Sequence, residues 1–197
     1  MKQFIVMAFV CLTGIQFAGA QVKKGNILVG GSVGVSWSET EEPEAKASGT
    51  SYHFSPKVGY ALTDKWVVGI YAAGNISKGK SDVFKSRQKS LTSGVFARNY
   101  HMLGDKVALF GEANAGYTKG SYRHNGVKTA DFQNFTVDIE PGITWFAGKH
   151  LMVEGVFGGL SYLHQRWEDI LANTKSRSNG LGLAFTREFE LGVSFLF

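Results

Sequence analysis

The chain has 197 residues, which suits one domain. Charged residues make up 19% and aromatic residues 13%, with 25 glycines and 3 prolines, so disorder, collagen and coiled coil are disfavoured. The net charge of +5 is mild and the basic residues form no single block, which argues against nucleic-acid binding.

The first twenty residues have the pattern of a secretory signal peptide. Lys2 is followed by the apolar run Phe4–Ala18 and by the small residues Ala18-Gly19-Ala20. We expect a signal peptide over residues 1–20, cleavage before Gln21, and one domain over residues 21–197. The only cysteine, Cys11, lies in the signal, so we expect no disulfide and no cysteine metal site in the mature chain.

Beyond residue 20 the chain alternates between apolar and polar residues, which is the pattern of β-strands. No later apolar run reaches the roughly 20 residues of a transmembrane helix. We predict eight strands, each longer than the 5 or 6 residues typical of a soluble strand. Their predicted ranges are Asn26–Ser38, Ser51–Leu62, Lys65–Ile76, Lys89–Met102, Lys106–Thr118, Phe132–Phe146, Leu151–His164 and Gly180–Phe197.

The connections between these strands alternate between long and short. The short turns are Thr63-Asp64, Leu103–Asp105 and Ala147–Lys149, and the long polar segments are Glu39–Thr50, Ser77–Gln88, Lys119–Asp131 and Gln165–Asn179. This alternation predicts an antiparallel up-and-down barrel with all long loops at one end. Outer-membrane barrels show that asymmetry, with short periplasmic turns and long extracellular loops.

Two features indicate that the apolar face points outward into lipid. The polar face carries charges in the middle of the strands, and aromatic residues collect near the strand ends, as lipid interfaces select. The charges are Lys57, Arg98, Glu112, Asp138, Glu140, Glu154, Glu188 and Glu190. The aromatic residues are Tyr60, Trp66, Tyr100 and Trp145 near the short turns, and Trp37, Tyr117, Phe132 and Tyr162 near the long segments.

The last eight residues, ELGVSFLF, resemble the C-terminal assembly signal of bacterial outer-membrane barrels at Glu190, Gly192, Phe195 and Phe197. With the signal peptide and the eight strands, the mature chain resembles the small OmpA/OmpX-type proteins of the outer membrane protein beta-barrel group. The resemblance implies an all-β, eight-stranded transmembrane barrel in the outer membrane, inserted by the outer-membrane assembly machinery.

The interior of an eight-stranded barrel is just wide enough to be filled by side chains, so we do not expect a channel. We expect Lys57 and Arg98 to pair with several interior carboxylates in a structural network. A proton or ion path, or a carboxylate pair for acid–base chemistry, remains an alternative.

Catalysis is not indicated by the sequence. A lipid A-modifying enzyme is the first alternative, but Ser161 and His164 are three residues apart and therefore lie on opposite faces of a strand. The five histidines show no metal-ligand spacing, and no cofactor is expected. A soluble periplasmic lipocalin-like binder is the second alternative.

Basic residues exceed acidic ones in three of the four long segments. We predict that Lys78, Lys80, Lys85 and Arg87 contact the phosphates of lipopolysaccharide. The interpretation is an integral outer-membrane protein, expected to be a monomer, with a structural or interaction role.

Overall fold

The computed structural model describes residues 21–42, 45–81 and 84–197. Side chains are described for these residues except at positions 40–46 and 184–190. The predicted signal peptide lies outside the described residues. The described chain forms eight antiparallel strands closed into one barrel. The strands are β1 (Ile27–Glu42), β2 (Ala45–Ala61), β3 (Trp66–Ser81), β4 (Lys85–Met102), β5 (Val107–His124), β6 (Val127–Phe146), β7 (Leu151–Asp169) and β8 (Thr174–Leu196).

Each strand pairs with its neighbour in the sequence, and β1 and β8 close the ring. The closing contact is short among the described residues: Leu28–Ser32 of β1 pairs with Gly192–Leu196 of β8, and Ile27 and Phe197 exchange backbone hydrogen bonds next to them. We call the end that holds Ile27 and Phe197 the terminal end, and the opposite end the hairpin end.

The strands are 16 to 23 residues long, which exceeds the predicted lengths. The predicted long loops are therefore wrong: the polar segments mostly continue the strands as hairpins. Their polar residues do not interrupt the ladder, because the hydrogen bonds across the hairpin are made by backbone N–H and C=O groups, which every non-proline residue carries. The ladders extend outward to the pairs Lys80–Lys85, His124–Val127 and Asp169–Thr174.

The turn between β5 and β6 shows how tightly these hairpins close. Asn125 and Gly126 have positive φ angles of 48° and 85°, the backbone conformation of a two-residue type I′ turn. An Asn-Gly pair between alternating strands is the strongest short-range hairpin signal, and the sequence interpretation overlooked it when it placed a loop over Lys119–Asp131.

The apolar face of the wall points outward, as the sequence predicts. Val33, Trp37 and Leu181 are more than 70% exposed, which is expected of a wall that meets lipid. The prediction of interfacial aromatic residues is wrong at two positions, because Tyr100 and Phe132 are buried and face the barrel interior. Both residues alternate in step with the lumen-facing residues of their strands. This alternation, and not their nearness to a strand end, sets the direction of their side chains.

Apolar side chains fill the lumen at the terminal end. The fully buried members of this core include Leu28, Val67, Met152, Phe146 and Leu196. Aromatic rings cover glycines on the neighbouring strand: a methyl group at Gly142 would overlap the ring of Phe110 and approach the carbonyl oxygen of Gly155 to 2.7 Å. No helix in the described part of the chain is long and apolar enough to cross a membrane.

Candidate functional site

A layer of charged side chains crosses the lumen above the apolar core. Arg98 of β4 lies at its centre and is 0% exposed. Its register partner on β5 is Glu112, and Arg98 Nε donates to Glu112 Oε2 at 2.6 Å. Arg98 Nη1 also donates to the hydroxyl of Tyr100 at 2.9 Å and forms an ion pair with Glu154 of β7. We call Lys57, Arg98, Tyr100, Glu112 and Glu154 the charged layer.

Lys57 completes the layer from β2. Its Nζ lies 3.0 Å from Glu112 Oε1, so this carboxylate is shared by two cations. On the other side, Ser194 Oγ donates to Glu154 Oε2 at 3.3 Å. Two cations thus face two carboxylates, and the described layer carries no net charge. Buried ions need such partners, because an unpaired charge in a low-dielectric interior is strongly destabilising.

Aromatic rings pack around the two cations of the layer. Arg98 Cζ lies 4.0 Å from the centroid of the Phe110 ring, and Lys57 Nζ lies 5.3 Å from that of Phe96. These rings cover part of the surface of the ion pairs and add cation–π attraction. The charged layer, its rings and the apolar core therefore occupy the lumen at the terminal end.

Above the layer lies a polar cavity of about 180 Å³. Asp138 and Glu140 of β6 line it, and Asn114 Nδ2 donates to Glu140 Oε2 at 3.1 Å. The structure thus joins Lys57, Arg98, Glu112 and Glu154 in ion pairs and places Asp138 and Glu140 on the adjoining wall. The side chains of Glu188 and Glu190 are not among those that the structure describes.

The sequence interpretation missed Tyr100 and Ser194 as members of this site. A signal was available, because Tyr100 is two residues from Arg98 and Ser194 is two residues from the buried Leu196, so each shares a strand face with a lumen residue. The sequence predicts that Lys57 pairs with interior carboxylates but does not single out Glu112, which is 55 positions away in the chain.

Three of the predicted assembly-signal residues lie on β8, and Phe197 directly follows its end. Phe195 is 43% and Phe197 65% exposed on the outer face, while Gly192 faces Glu154 across the lumen wall. The backbone of Glu190 pairs with Val156.

The four predicted phosphate contacts share the outer face at the hairpin end. Lys78 is the register partner of Arg87, and Lys80 is the register partner of Lys85. All four side chains are exposed.

The candidate catalytic pair at the hairpin end is divided between two faces, as predicted. Ser161 pairs with the lumen-lining Asp138, whereas His164 Nδ1 lies 2.6 Å from Asn179 Oδ1 among exposed residues of the outer wall. Within the described residues, no group of three or more His, Cys, Asp or Glu side chains is arranged to hold a metal ion.

An outward apolar wall, a closed ring of strands and a lumen filled by paired charges define a small membrane-spanning β-barrel. Residues 4–197 match the family described as outer membrane protein beta-barrel domain. The chain belongs to this family and is an outer-membrane protein, which replaces the alternative of a soluble periplasmic binder.

The chain is similar to solved structures at low sequence identity. Outer membrane protein OprG from Pseudomonas aeruginosa is 14% identical, with a TM-score of 0.54 over 92% of this chain and 99% of OprG. Neisserial surface protein A is 14% identical, with a TM-score of 0.44 over 88% of this chain and 98% of that protein. A search of curated proteins found no match.

Proposed function

We propose that this protein is a non-conducting outer-membrane barrel with a structural or interaction role and no catalytic activity. The observation that carries the proposal is the charged layer, in which fully buried Arg98 is bound to Glu112 and Glu154 across the lumen. Ions crossing the barrel would have to separate these pairs, and leaving a buried charge without its partner is strongly unfavourable.

The two ends of the barrel support a role at the cell surface. A membrane-spanning strand needs about 9–11 residues, whereas these strands have 16 to 23. In bacterial outer-membrane barrels the chain extends further on the extracellular side than on the periplasmic side. The long polar hairpins therefore assign the hairpin end to the outside and the terminal end to the periplasm. The hairpin end then extends beyond the bilayer and offers a rigid, hydrogen-bonded surface for contacts outside the cell.

Conductance across a planar lipid bilayer tests the closed lumen. We expect the purified, refolded protein to give no stepwise current. Replacing Phe96, Arg98 and Phe110 together by alanine opens the charged layer but leaves the apolar core of Leu28, Val67 and Met152 in place, so this variant should also give no current if both obstructions close the lumen. Heat-dependent gel mobility checks that both proteins are folded barrels. Steady single-channel currents from the wild-type protein would refute the proposal, whatever the variant does.

The absence of catalysis is supported by the placement of Ser161 and His164 on opposite faces of β7. Lipid A mass spectra from cells with and without the gene test this part of the proposal. We expect identical spectra. A change in acyl-chain number or head-group mass that the wild-type gene restores would establish the enzyme alternative instead.

A further inference from the structure

Eight basic side chains lie together on the outer face of β3 to β6 near the hairpin end. They alternate with lumen-facing residues such as Gly79, Ser86 and Tyr122, so they point away from the barrel. We call them the basic patch, which consists of Lys78, Lys80, Lys85, Arg87, Lys89, Lys119, Arg123 and Lys128.

The register lines up four of these cations in one row. Lys78 pairs with Arg87, Arg87 with Arg123, and Arg123 with Lys128. Neighbouring strands are about 4.8 Å apart, so the row brings four like charges within about 15 Å. Asp131, 2.7 Å from Lys128, is the one outward-facing acidic residue among the described positions of these four strands. The patch therefore has a large uncompensated positive charge.

An apolar surface begins directly beneath the patch. A groove of about 660 Å³ is lined by Tyr52, Phe54, Ile76 and Leu91 together with patch residues such as Lys89. Phe54 and Leu91 are 58% and 66% exposed. The outer surface changes from apolar to basic between directly paired residues, since Ile76 of β3 pairs with Lys89 of β4. One continuous groove thus offers an apolar part and a cationic part.

A second groove of about 420 Å³ lies further toward the hairpin end, and its lining residues are polar, charged or glycine. Its lining includes Lys78, Lys80, Lys85, Arg87 and Arg123. Lysine Nζ atoms also lie over interfacial rings, with Lys78 Nζ 5.9 Å from the centroid of Tyr52. This arrangement is the one expected of cations at head-group height, because long basic side chains next to an apolar surface keep their charges at the membrane boundary.

We infer that the basic patch is a binding site for a phosphorylated glycolipid of the outer leaflet, with lipid A phosphates on the row of cations and acyl chains in the apolar groove. Lys and Arg bind phosphate oxygens through charge-assisted hydrogen bonds, and cations at a membrane surface attract anionic lipids. A soluble polyanion would leave the apolar groove empty, so a lipid is the occupant that uses both parts. The inference goes beyond the proposed function and does not depend on the closed lumen.

The sequence interpretation included four of these residues as loop contacts. The structure adds Arg123, which joins the row only through the pairing of β4 with β5. The structure also gives a different argument for a lipid site. The cations lie on a strand wall that adjoins an apolar groove, and not on loops.

The test uses a matched pair of triple variants in the full-length barrel. The first, Lys78→Gln with Arg87→Gln and Arg123→Gln, removes the centre of the row. The second, Arg166→Gln with Lys175→Gln and Arg177→Gln, removes three exposed cations at the same end of the opposite wall. Binding of purified, fluorescently labelled lipid A to the refolded proteins in detergent is measured, and heat-dependent gel mobility confirms folding.

We expect the first variant to bind lipid A at least about tenfold more weakly than the wild type, because each basic contact at a membrane surface strengthens binding several-fold. The second variant should change binding by less than about twofold. A nonspecific charge effect would instead weaken binding equally in both variants, because each loses three positive charges. Lipid A lacking its phosphates should bind the wild type weakly, and excess inorganic phosphate should not displace intact lipid A. Equal losses in both variants, or unchanged binding in the first, would overturn the inference.

Discussion

The charged layer and the basic patch both concentrate ionic side chains, but they neutralise them in opposite ways. In the lumen, Arg98 is fully buried and its charge is balanced by Glu112 and Glu154 on neighbouring and facing strands. On the outer wall, Lys78, Arg87 and Arg123 lie in one row of like charge with no carboxylate between them.

The difference follows from the surroundings of each region. A charge in the narrow lumen has only protein around it, so its counter-charge must come from the same chain. A charge at the edge of the bilayer has lipid head groups beside it, so its counter-charge can come from the membrane. Changes to the lumen should therefore alter the stability of the barrel, and changes to the outer wall should alter what it binds.

Arg98→Met should have the largest effect on stability. It leaves Glu112 and Glu154 buried beside one fewer cation, and we expect the free energy of unfolding to fall by about 3–5 kcal/mol. Urea unfolding in detergent micelles measures this loss. Arg87→Met, an exposed arginine on the same strand, is the matched control and should cost less than about 0.5 kcal/mol.

The double variant Arg98→Met with Glu154→Gln sharpens this test. Neutralising Glu154 removes one of the stranded charges, so part of the lost stability should return. A double variant that is less stable than Arg98→Met would show that the ion pair does not account for the effect.

Gly142→Ala should have the next largest effect, since its new methyl group would overlap the ring of Phe110 and disturb the packing around Arg98. Overpacking a filled core typically costs about 1–3 kcal/mol. Gly111→Ala is the matched control on the neighbouring strand, because a methyl group there meets nothing within 4 Å. The same urea titration compares them, and equal stability of the two variants would contradict the close packing of the layer.

Much of the barrel was predictable because alternation assigns each strand residue to one of two faces. It placed Arg98, Glu112 and Glu154 inward from the sequence alone. Alternation does not give the stagger between strands, which decides that Lys57 meets Glu112 and that Arg123 lies beside Arg87. It also does not mark the end of a strand, because polar residues continue a hairpin ladder as readily as apolar ones.

Phe197→Ala should have the smallest effect on the folded barrel and separates stability from assembly. The ring is 65% exposed and has neighbouring rings at 6.1 Å and 6.4 Å, while the backbone bonds to Ile27 remain available to alanine. We expect the free energy of unfolding to change by less than about 1 kcal/mol.

The amount of Phe197→Ala barrel in the outer membrane should nevertheless fall several-fold, because the resemblance makes Phe197 part of a recognition signal rather than of the core. Immunoblots of outer-membrane fractions measure this amount beside the urea midpoint of refolded protein. Leu191→Ala is the matched control: it removes another exposed apolar side chain from the same strand, outside the four signal positions. Equal outer-membrane levels of the two variants would mean that Phe197 contributes only lipid-facing surface. If the outer-membrane level of Phe197→Ala fell in proportion to its urea midpoint, the loss would be explained by lower stability and not by a lost recognition signal.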